Sequence, residues 1–148
     1  MLHSNGFRLQ PVLDYKSNMV DTLELEFAQL KLTHKDQLEI LAQLEMAQTQ
    51  EMDNLRGQQH GMLNCQSIVL RQQYLQMLET QVQLQRERVK RAEAKVNAKR
   101  EELVEMMKGQ KTLEKLQASH IENQKIETRR RESRIIDDIV TTRYARER

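Results

Sequence analysis

The side chains that most often carry chemistry are few in this sequence, and they stand apart from one another. The four histidines are His3, His34, His60 and His120. None has a second potential metal ligand at the spacing that a metal site requires. His34 falls on the predicted helix interface described below, where we interpret it as a tolerated polar residue. The sequence therefore predicts no metal site.

Nucleophilic and phosphate-binding motifs are equally scarce. Cys65 has no nearby histidine and no second cysteine, so neither a catalytic thiol nor a disulfide within the chain is expected. No phosphate-binding GxxxxGK[ST] motif occurs. The many carboxylates fall on predicted solvent-facing helix surfaces rather than in a pocket. We expect no catalytic residue, no cofactor and no enzymatic activity.

Composition indicates long helices rather than a compact core. The 148 residues include one proline, four glycines and no tryptophan, with 3% aromatic and 31% charged residues. Leu, Gln, Glu, Lys and Arg favour helix, and little remains from which strands could form. The sequence has no apolar run of the kind found in a secretory signal or a membrane span. A cytoplasmic protein is the expectation.

A seven-residue repeat of apolar residues runs through the first half, as in coiled coils. Nine of its sites are apolar and the others are polar, which predicts a real but weakened helix interface. The a sites are Leu13, Val20, Phe27, His34, Leu41, Gln48 and Leu55, and the d sites are Leu9, Lys16, Leu23, Leu30, Gln37, Leu44 and Glu51.

The repeat breaks at RGQQHGMLNCQ, where Gly57, Gly61 and Asn64 cluster, and a second repeat follows. Its a sites are Ile68, Leu75, Val82, Val89, Val96 and Leu103, and its d sites include Leu78, Ala92, Met106 and Leu113. The prediction is an all-α fold, in which two long helices form an antiparallel coiled-coil hairpin with a C-terminal helical overhang. Residues 1–148 would form a single domain, with helix one over about 10–56, a turn over about 57–65 and helix two over about 66–145.

The charge distribution favours this hairpin over a parallel homodimer. Residues 1–60 carry 5 Lys and Arg against 9 Asp and Glu, whereas residues 61–148 carry 19 against 13. A turn centred near residue 61 would bring acidic side chains of helix one close to basic side chains of helix two. The acids are Asp14, Asp21, Glu24 and Glu26, and the bases are Lys95, Lys99, Arg100 and Lys108. We expect a monomer when the protein is free.

The same register leaves the residues after about 112 without a partner, which is some 35 residues or ~50 Å of helix. At its end an apolar strip occurs at helical spacing beside arginines, and its members are Ile135, Ile136, Ile139 and Val140. A single helix in water normally needs a surface on which to pack. We interpret the strip as an anchor for another protein, with fraying of a terminal helix as the alternative.

Nucleic acid is the disfavoured partner. RERVKRAEAKVNAKR and RRRESR are basic, but acids are interspersed and stacking aromatics are absent. A generic cytoplasmic coiled-coil scaffold is an interpretation that these features leave open.

Several segments, taken in order, resemble the flagellar export protein family FliJ. They are FRLQPVLDY at 7–15, QQYLQMLETQVQLQ at 72–85, KTLEKLQ at 111–117, RRRESRIIDDIV at 129–140 and the trailing TTRYARER. The similarity runs over nearly the whole chain. Stalk proteins of injectisome secretion systems share this shape and stay an alternative.

The resemblance implies a non-enzymatic stalk similar to the central shaft of rotary ATP synthases. In that family the end that carries both termini inserts into the ring of the export ATPase, FliI, and promotes its assembly. The hairpin body contacts the export-gate membrane protein FlhA, and the family also escorts empty export chaperones. Such a protein would be cytoplasmic and associated peripherally with the inner membrane at the flagellar base.

The resemblance also implies two sets of contact residues. The residues matching the gate-facing patch are Gln37, Leu41, Leu44, Gln48, Tyr74, Leu78, Gln81 and Gln85. Several of these also fall on a or d sites, so a purely structural role is the alternative. The residues expected to contact the ATPase ring are Arg129, Arg130, Arg131, Arg134, Ile135, Ile136, Ile139 and Val140.

Overall fold

The computed structural model describes residues 6–59 and 64–147. They form two long helices, α1 (Gln10–Gln59) and α2 (Cys65–Arg146), and these ranges contain no strand. The fold is all-α, with the two helices packed against each other as a hairpin, which confirms the predicted fold class. No helix in the described ranges is both long and apolar enough to span a membrane.

Each helix begins with a residue type that suits a helix N-terminus. In α1, Pro11 lies in the first turn, where its missing N–H removes no intrahelical hydrogen bond. In α2, Asn64 is the N-cap, because its side-chain oxygen accepts a hydrogen bond from the Gln66 backbone N–H at 3.2 Å. Of the predicted turn, Gly57 lies inside α1 and Cys65 inside α2. Residues 60–63 of that turn lie outside the described residues.

The chain divides into two compact units, unit 1 of Met1–Asp21 with Val104–Arg148 and unit 2 of Thr22–Leu103. In unit 2 the helices run antiparallel, since Glu26 pairs with Lys99 and Gln58 pairs with Ser67. Among the described residues of this unit, the buried apolar side chains occupy predicted a or d sites, and they are Leu23, Leu78, Val82, Val96 and Leu103. The seven-residue repeat therefore identified this core.

Unit 1 has a more polar interface between its antiparallel helix segments. Leu13 and Val20 are the buried apolar side chains among the residues of unit 1 that the structure describes. Polar and aromatic contacts also link its two segments: Gln110 donates to the Ser17 hydroxyl at 3.0 Å, Gln117 donates to the Gln10 side chain at 2.6 Å, and the Phe7 ring contacts His120. The prediction that pairing ends near residue 112 is therefore wrong, because residues 117 and 120 have partners on the first segment. The residue numbers of each pair add to 127 rather than to the predicted 122.

This difference in register also changes the predicted contacts between acids and bases. Of the acids and bases predicted to lie close together, Glu26 and Lys99 form an ion pair in unit 2, with 2.8 Å between Oε2 and Nζ. Glu45 and Arg86 form a second pair between the helices at 3.0 Å. Glu24 makes no ion pair with any residue that the structure describes. Among the described residues, Glu26 is therefore the one acid of the predicted set that forms an ion pair with the other helix.

Candidate functional site: an exposed tail and a half-buried face

The C-terminal part of α2 is exposed throughout. We call residues 125–147 the tail segment. Each of these residues is exposed, whereas Gln124 is half-buried. The segment contains no proline or glycine, so nothing in its sequence interrupts the helix. The overhang predicted from the sequence therefore exists, but it begins about one helical turn or more beyond His120 rather than at residue 112.

The tail segment exposes the predicted apolar strip. The side chains are 47–59% exposed at Ile135, Ile136, Ile139 and Val140. Ile135 and Ile139 also line a shallow hollow on the helix surface together with Asp138, Thr142, Arg143 and Arg146. Such a concentration of large aliphatic groups in water is unusual outside interaction surfaces. The strip is thus available to a partner.

The arginines predicted to contact the ATPase ring lie in the same segment. Arg131 pairs with Glu127 one turn earlier, at 3.6 Å, and both side chains are largely exposed. Among the described residues, Arg129, Arg130 and Arg134 form no ion pair. The tail segment therefore presents several cationic groups beside the apolar strip, an arrangement suited to an acidic and partly apolar surface.

The residues of α1 predicted to contact the export gate lie at the helix interface. All four are half-buried, and they are Gln37, Leu41, Leu44 and Gln48. Each occupies an a or d site of the first repeat. Gln37 contacts Gln85 of α2, and only part of each of the four side chains faces solvent.

The α2 residues predicted to contact the gate divide into two classes. Leu78 and Gln85 are buried, with 4% and 2% of their surface exposed. Tyr74 is 44% exposed, and Gln81 is exposed as well. The structure therefore brings the predicted patch together around one part of unit 2, but only Tyr74 and Gln81 present most of their side chains to a partner.

Gln85 forms hydrogen bonds with Gln37, another residue predicted to contact the export gate. Its side-chain nitrogen donates to the backbone oxygen of Gln37 at 2.9 Å and to the side-chain oxygen of Gln37 at 2.8 Å. Both amide hydrogens of Gln85 are used, so this buried polar group does not lack partners. Gln37 and Gln85 thus connect the two helices directly.

An ion pair beside Tyr74 was not predicted. Arg71 Nη1 lies 3.1 Å from Glu51 Oε1, and the two side chains are 33% and 11% exposed. These residues line a surface hollow together with Tyr74 and Leu70. The signal was present in the sequence, because Glu51 is a d site and Arg71 falls on the d site of the second repeat. Two oppositely charged residues on interface sites that face each other are expected to form an ion pair.

Two carboxylates surround the ammonium group of Lys99. Glu26 and Glu102 both accept hydrogen bonds from Lys99 Nζ, at 2.8 and 3.1 Å, and they raise the pKa of Lys99 above its ordinary value of 10.5. A surface lysine that is more firmly protonated is a structural ion-pair feature. It has no nucleophilic role at neutral pH.

The described residues include no cluster of His, Cys, Asp or Glu that could hold a metal ion. Cys65 is exposed at the start of α2, His34 is half-buried in the interface, and His120 contacts Phe7. His3 and His60 lie outside the described residues. Two surfaces of the described residues are suited to binding: the tail segment in unit 1, and in unit 2 the surface of Leu70, Arg71, Tyr74 and Gln81, which we call the Tyr74 region.

Comparison with known proteins assigns the chain to a family. The family model described as "Flagellar FliJ protein" matches residues 4–148. No curated protein sequence and no solved structure shows a significant match. The family match covers both helices and includes the tail segment and the Tyr74 region. The chain belongs to the FliJ family of flagellar proteins.

Proposed function

We propose that this protein is a non-enzymatic stalk of the flagellar protein export apparatus, and that its tail segment seats in the ring of the export ATPase. The observation that carries the proposal is the tail segment itself. It is a helical stretch with four half-exposed aliphatic side chains, in a chain that the family match assigns to FliJ. The family membership supports the export role, and the exposed strip supports the anchor.

The energetics favour such an anchor. Full burial of one aliphatic side chain contributes about 1.5–3 kcal/mol. The strip of Ile135, Ile136, Ile139 and Val140 could therefore supply several kcal/mol to binding, even after the tail segment loses freedom on docking. The neighbouring arginines would then steer the tail segment toward an acidic surface and set its orientation.

In this proposal unit 2 contacts the export-gate membrane protein through Tyr74 and Gln81. Tyrosine provides a large contact area and a polar hydroxyl at low entropic cost, which suits an exposed contact residue. Leu78 and Gln85 would act indirectly, because they are buried and hold α2 against α1. The escort of empty export chaperones belongs to the same proposed role, and the protein would act in the cytoplasm at the inner membrane.

The tail anchor is tested by following ring assembly and ATP hydrolysis of the cognate export ATPase with added protein. The full chain is compared with a chain ending at Thr128 and with the double variant Ile135→Asp, Ile139→Asp. A matched control places the same change at Leu25→Asp, Leu32→Asp, where the side chains are 74% and 62% exposed on α1.

We expect the full chain and the control variant to promote assembly, and we expect the truncated chain and the tail variant to fail. Circular dichroism would show that all four proteins remain helical. If the tail variant promotes assembly as well as the full chain does, the strip is not the anchor. If no form affects the ATPase, the proposed export role itself is overturned.

A further inference from the structure

A second exposed surface lies on α2 in unit 2, away from the tail segment. We call it the cationic face, and it consists of Met77, Leu84, Arg88, Arg91 and Lys95. At 3.6 residues per turn these positions fall within about 60° of arc, so they form one straight stripe along the helix. Met77 and Leu84 are 51% and 52% exposed, and the three cations are exposed as well.

The three cations of this face differ from other cations of α2 in unit 2. Arg86 and Lys99 pair with Glu45 and Glu26 of α1, and Arg71 pairs with Glu51. Within the described ranges, Arg88, Arg91 and Lys95 form no ion pair at all. Their positive charges are therefore not neutralised by the fold.

Their spacing also works against the stability of the helix. Arg91 follows Arg88 by three residues, and Lys95 follows Arg91 by four. Like charges at these separations face each other on a helix and destabilise it. Lys99, four residues further on, adds to this row but is neutralised by Glu26 and Glu102. A row of exposed cations without ion-pair partners is open to a partner of opposite charge.

We propose that the cationic face binds an acidic amphipathic helix of another protein. The partner helix would place apolar side chains on Met77 and Leu84, and it would place carboxylates opposite Arg88, Arg91 and Lys95. The charge complementarity would fix the register of the two helices, and the two apolar residues would add burial. This inference goes beyond the proposed function, because it requires neither the tail segment nor the Tyr74 contact.

The order of residues along the face argues against a lipid surface. A helix that lies on a membrane carries its apolar stripe along its whole length, with cations at the sides of that stripe. Here the apolar residues come first and the cations follow along the same line, so the two groups cannot occupy different depths. Nucleic acid is disfavoured as well, because the segment from Leu84 to Lys95 contains no aromatic side chain for stacking.

The test uses the full chain and designed helical peptides as probes. Each peptide has the same length as residues 77–95 and carries one stripe along its helix. The stripe consists of leucines in one half of the peptide and of glutamates in the other half. Two peptides with opposite order cover the parallel and antiparallel arrangements, and a scrambled peptide of the same composition is the control. Binding is measured by fluorescence anisotropy at low and at moderate salt.

The charge dependence is tested with the variant Arg88→Glu, Arg91→Glu, Lys95→Glu. The matched control makes the same charge change at exposed lysines elsewhere on α2, as Lys111→Glu, Lys115→Glu, Lys125→Glu. A DNA duplex and vesicles containing anionic phosphatidylglycerol are titrated in parallel with the peptides.

We expect one of the two patterned peptides to bind and the scrambled peptide to bind much more weakly. The variant of the cationic face should lose about tenfold or more in affinity, whereas the control variant should retain most of it. Added salt should weaken binding, because the contacting charges are exposed. The proposal is overturned if neither patterned peptide binds, if both variants behave alike, or if DNA or vesicles bind more tightly than the peptides.

Discussion

The side-chain amide of Gln85 donates hydrogen bonds to two oxygens of Gln37, one on the backbone and one on the side chain. Gln85 is 2% exposed, so this polar contact lies inside the helix interface. A buried amide is stable only where its hydrogen-bond partners are correctly placed. The contact therefore selects one alignment of the two helices in unit 2, which apolar side chains alone would not do.

Replacing Gln85 with alanine should destabilise the protein. The variant Gln85→Ala loses two hydrogen bonds and leaves a void in a packed layer, so the free energy of unfolding should fall by about 1–3 kcal/mol. Urea denaturation followed by circular dichroism measures the change. The control is Gln81→Ala, the same substitution at an exposed position four residues earlier, which should stay within about 0.5 kcal/mol of the parent. Equal effects at the two positions would contradict the buried role of Gln85.

The Glu51–Arg71 pair should be coupled more strongly than the Glu45–Arg86 pair. The first is 11% and 33% exposed, whereas the second is 45% and 49% exposed. Exposed pairs contribute about 0.2–1 kcal/mol, and partial burial reduces screening by water. Double-mutant cycles to alanine should give a coupling energy of about 1–3 kcal/mol for the first pair and less than about 1 kcal/mol for the second. A larger coupling energy for the exposed pair would refute this ranking.

Lys99 should make stability depend on pH in the alkaline range. Its pKa in the folded protein is raised, chiefly by the hydrogen bond to Glu26 and then by the one to Glu102, above the ordinary value of 10.5. A raised pKa means that the folded state holds the proton more tightly than the unfolded state does. The stabilisation is therefore fully present below the unfolded pKa, and it is lost as pH rises through the folded pKa.

The variant Lys99→Gln tests this dependence. The difference in melting temperature between parent and variant should be constant from neutral pH to about pH 9. It should shrink above pH 10.5, as the parent loses its ammonium charge. The variant Lys99→Arg keeps its positive charge at high pH. Its melting temperature should therefore not show the fall above pH 10.5 that deprotonation of Lys99 causes in the parent. A parent-to-glutamine difference that grows with alkaline pH would reverse the sign and exclude the assignment.

Two helical glycines should respond differently to alanine. Gly57 lies in α1 with open space around the position of an added Cβ, so Gly57→Ala should gain about 0.5–1 kcal/mol from helix propensity. At Gly109 an added Cβ would meet the Nζ end of Lys16. That end is flexible and can move aside, so Gly109→Ala should still be tolerated, with a smaller gain. Thermal unfolding of the two variants compares them, and a greater gain at Gly109 would show that Lys16 does not occupy that space.

The seven-residue repeat made most of the core predictable from the sequence. Leu13, Val20 and Leu23 are buried on α1, as are Val82 and Val96 on α2, and all of them fall on predicted a or d sites. This works because one face of each helix must be apolar when two helices pack along their length. The same argument could not fix the alignment in unit 1, where glutamines occupy interface sites and their hydrogen bonds determine which residues pair.

The candidate site was predictable only in part. The apolar strip of the tail segment is visible in the sequence, because Ile135 and Ile139 stand one turn apart among charged residues. The burial of Leu78 was visible, because it is a d site of the second repeat, whereas the burial of Gln85 was not, because glutamine is usually exposed. Periodicity shows that a residue lies at an interface, but the neighbouring side chains decide how much of it a partner can reach.

The polar interface of unit 1 has a consequence for local unfolding. Its described buried apolar side chains are Leu13 and Val20, and further links are amide hydrogen bonds such as that of Gln117 with Gln10. Segments with little apolar burial open at low free energy without unfolding the rest of a protein. The backbone amide hydrogens in the first turns of α1 should therefore exchange with solvent early. Such opening would uncover the α2 residues that pair with these turns, including Gln110 and Gln117, on the segment that leads to the tail.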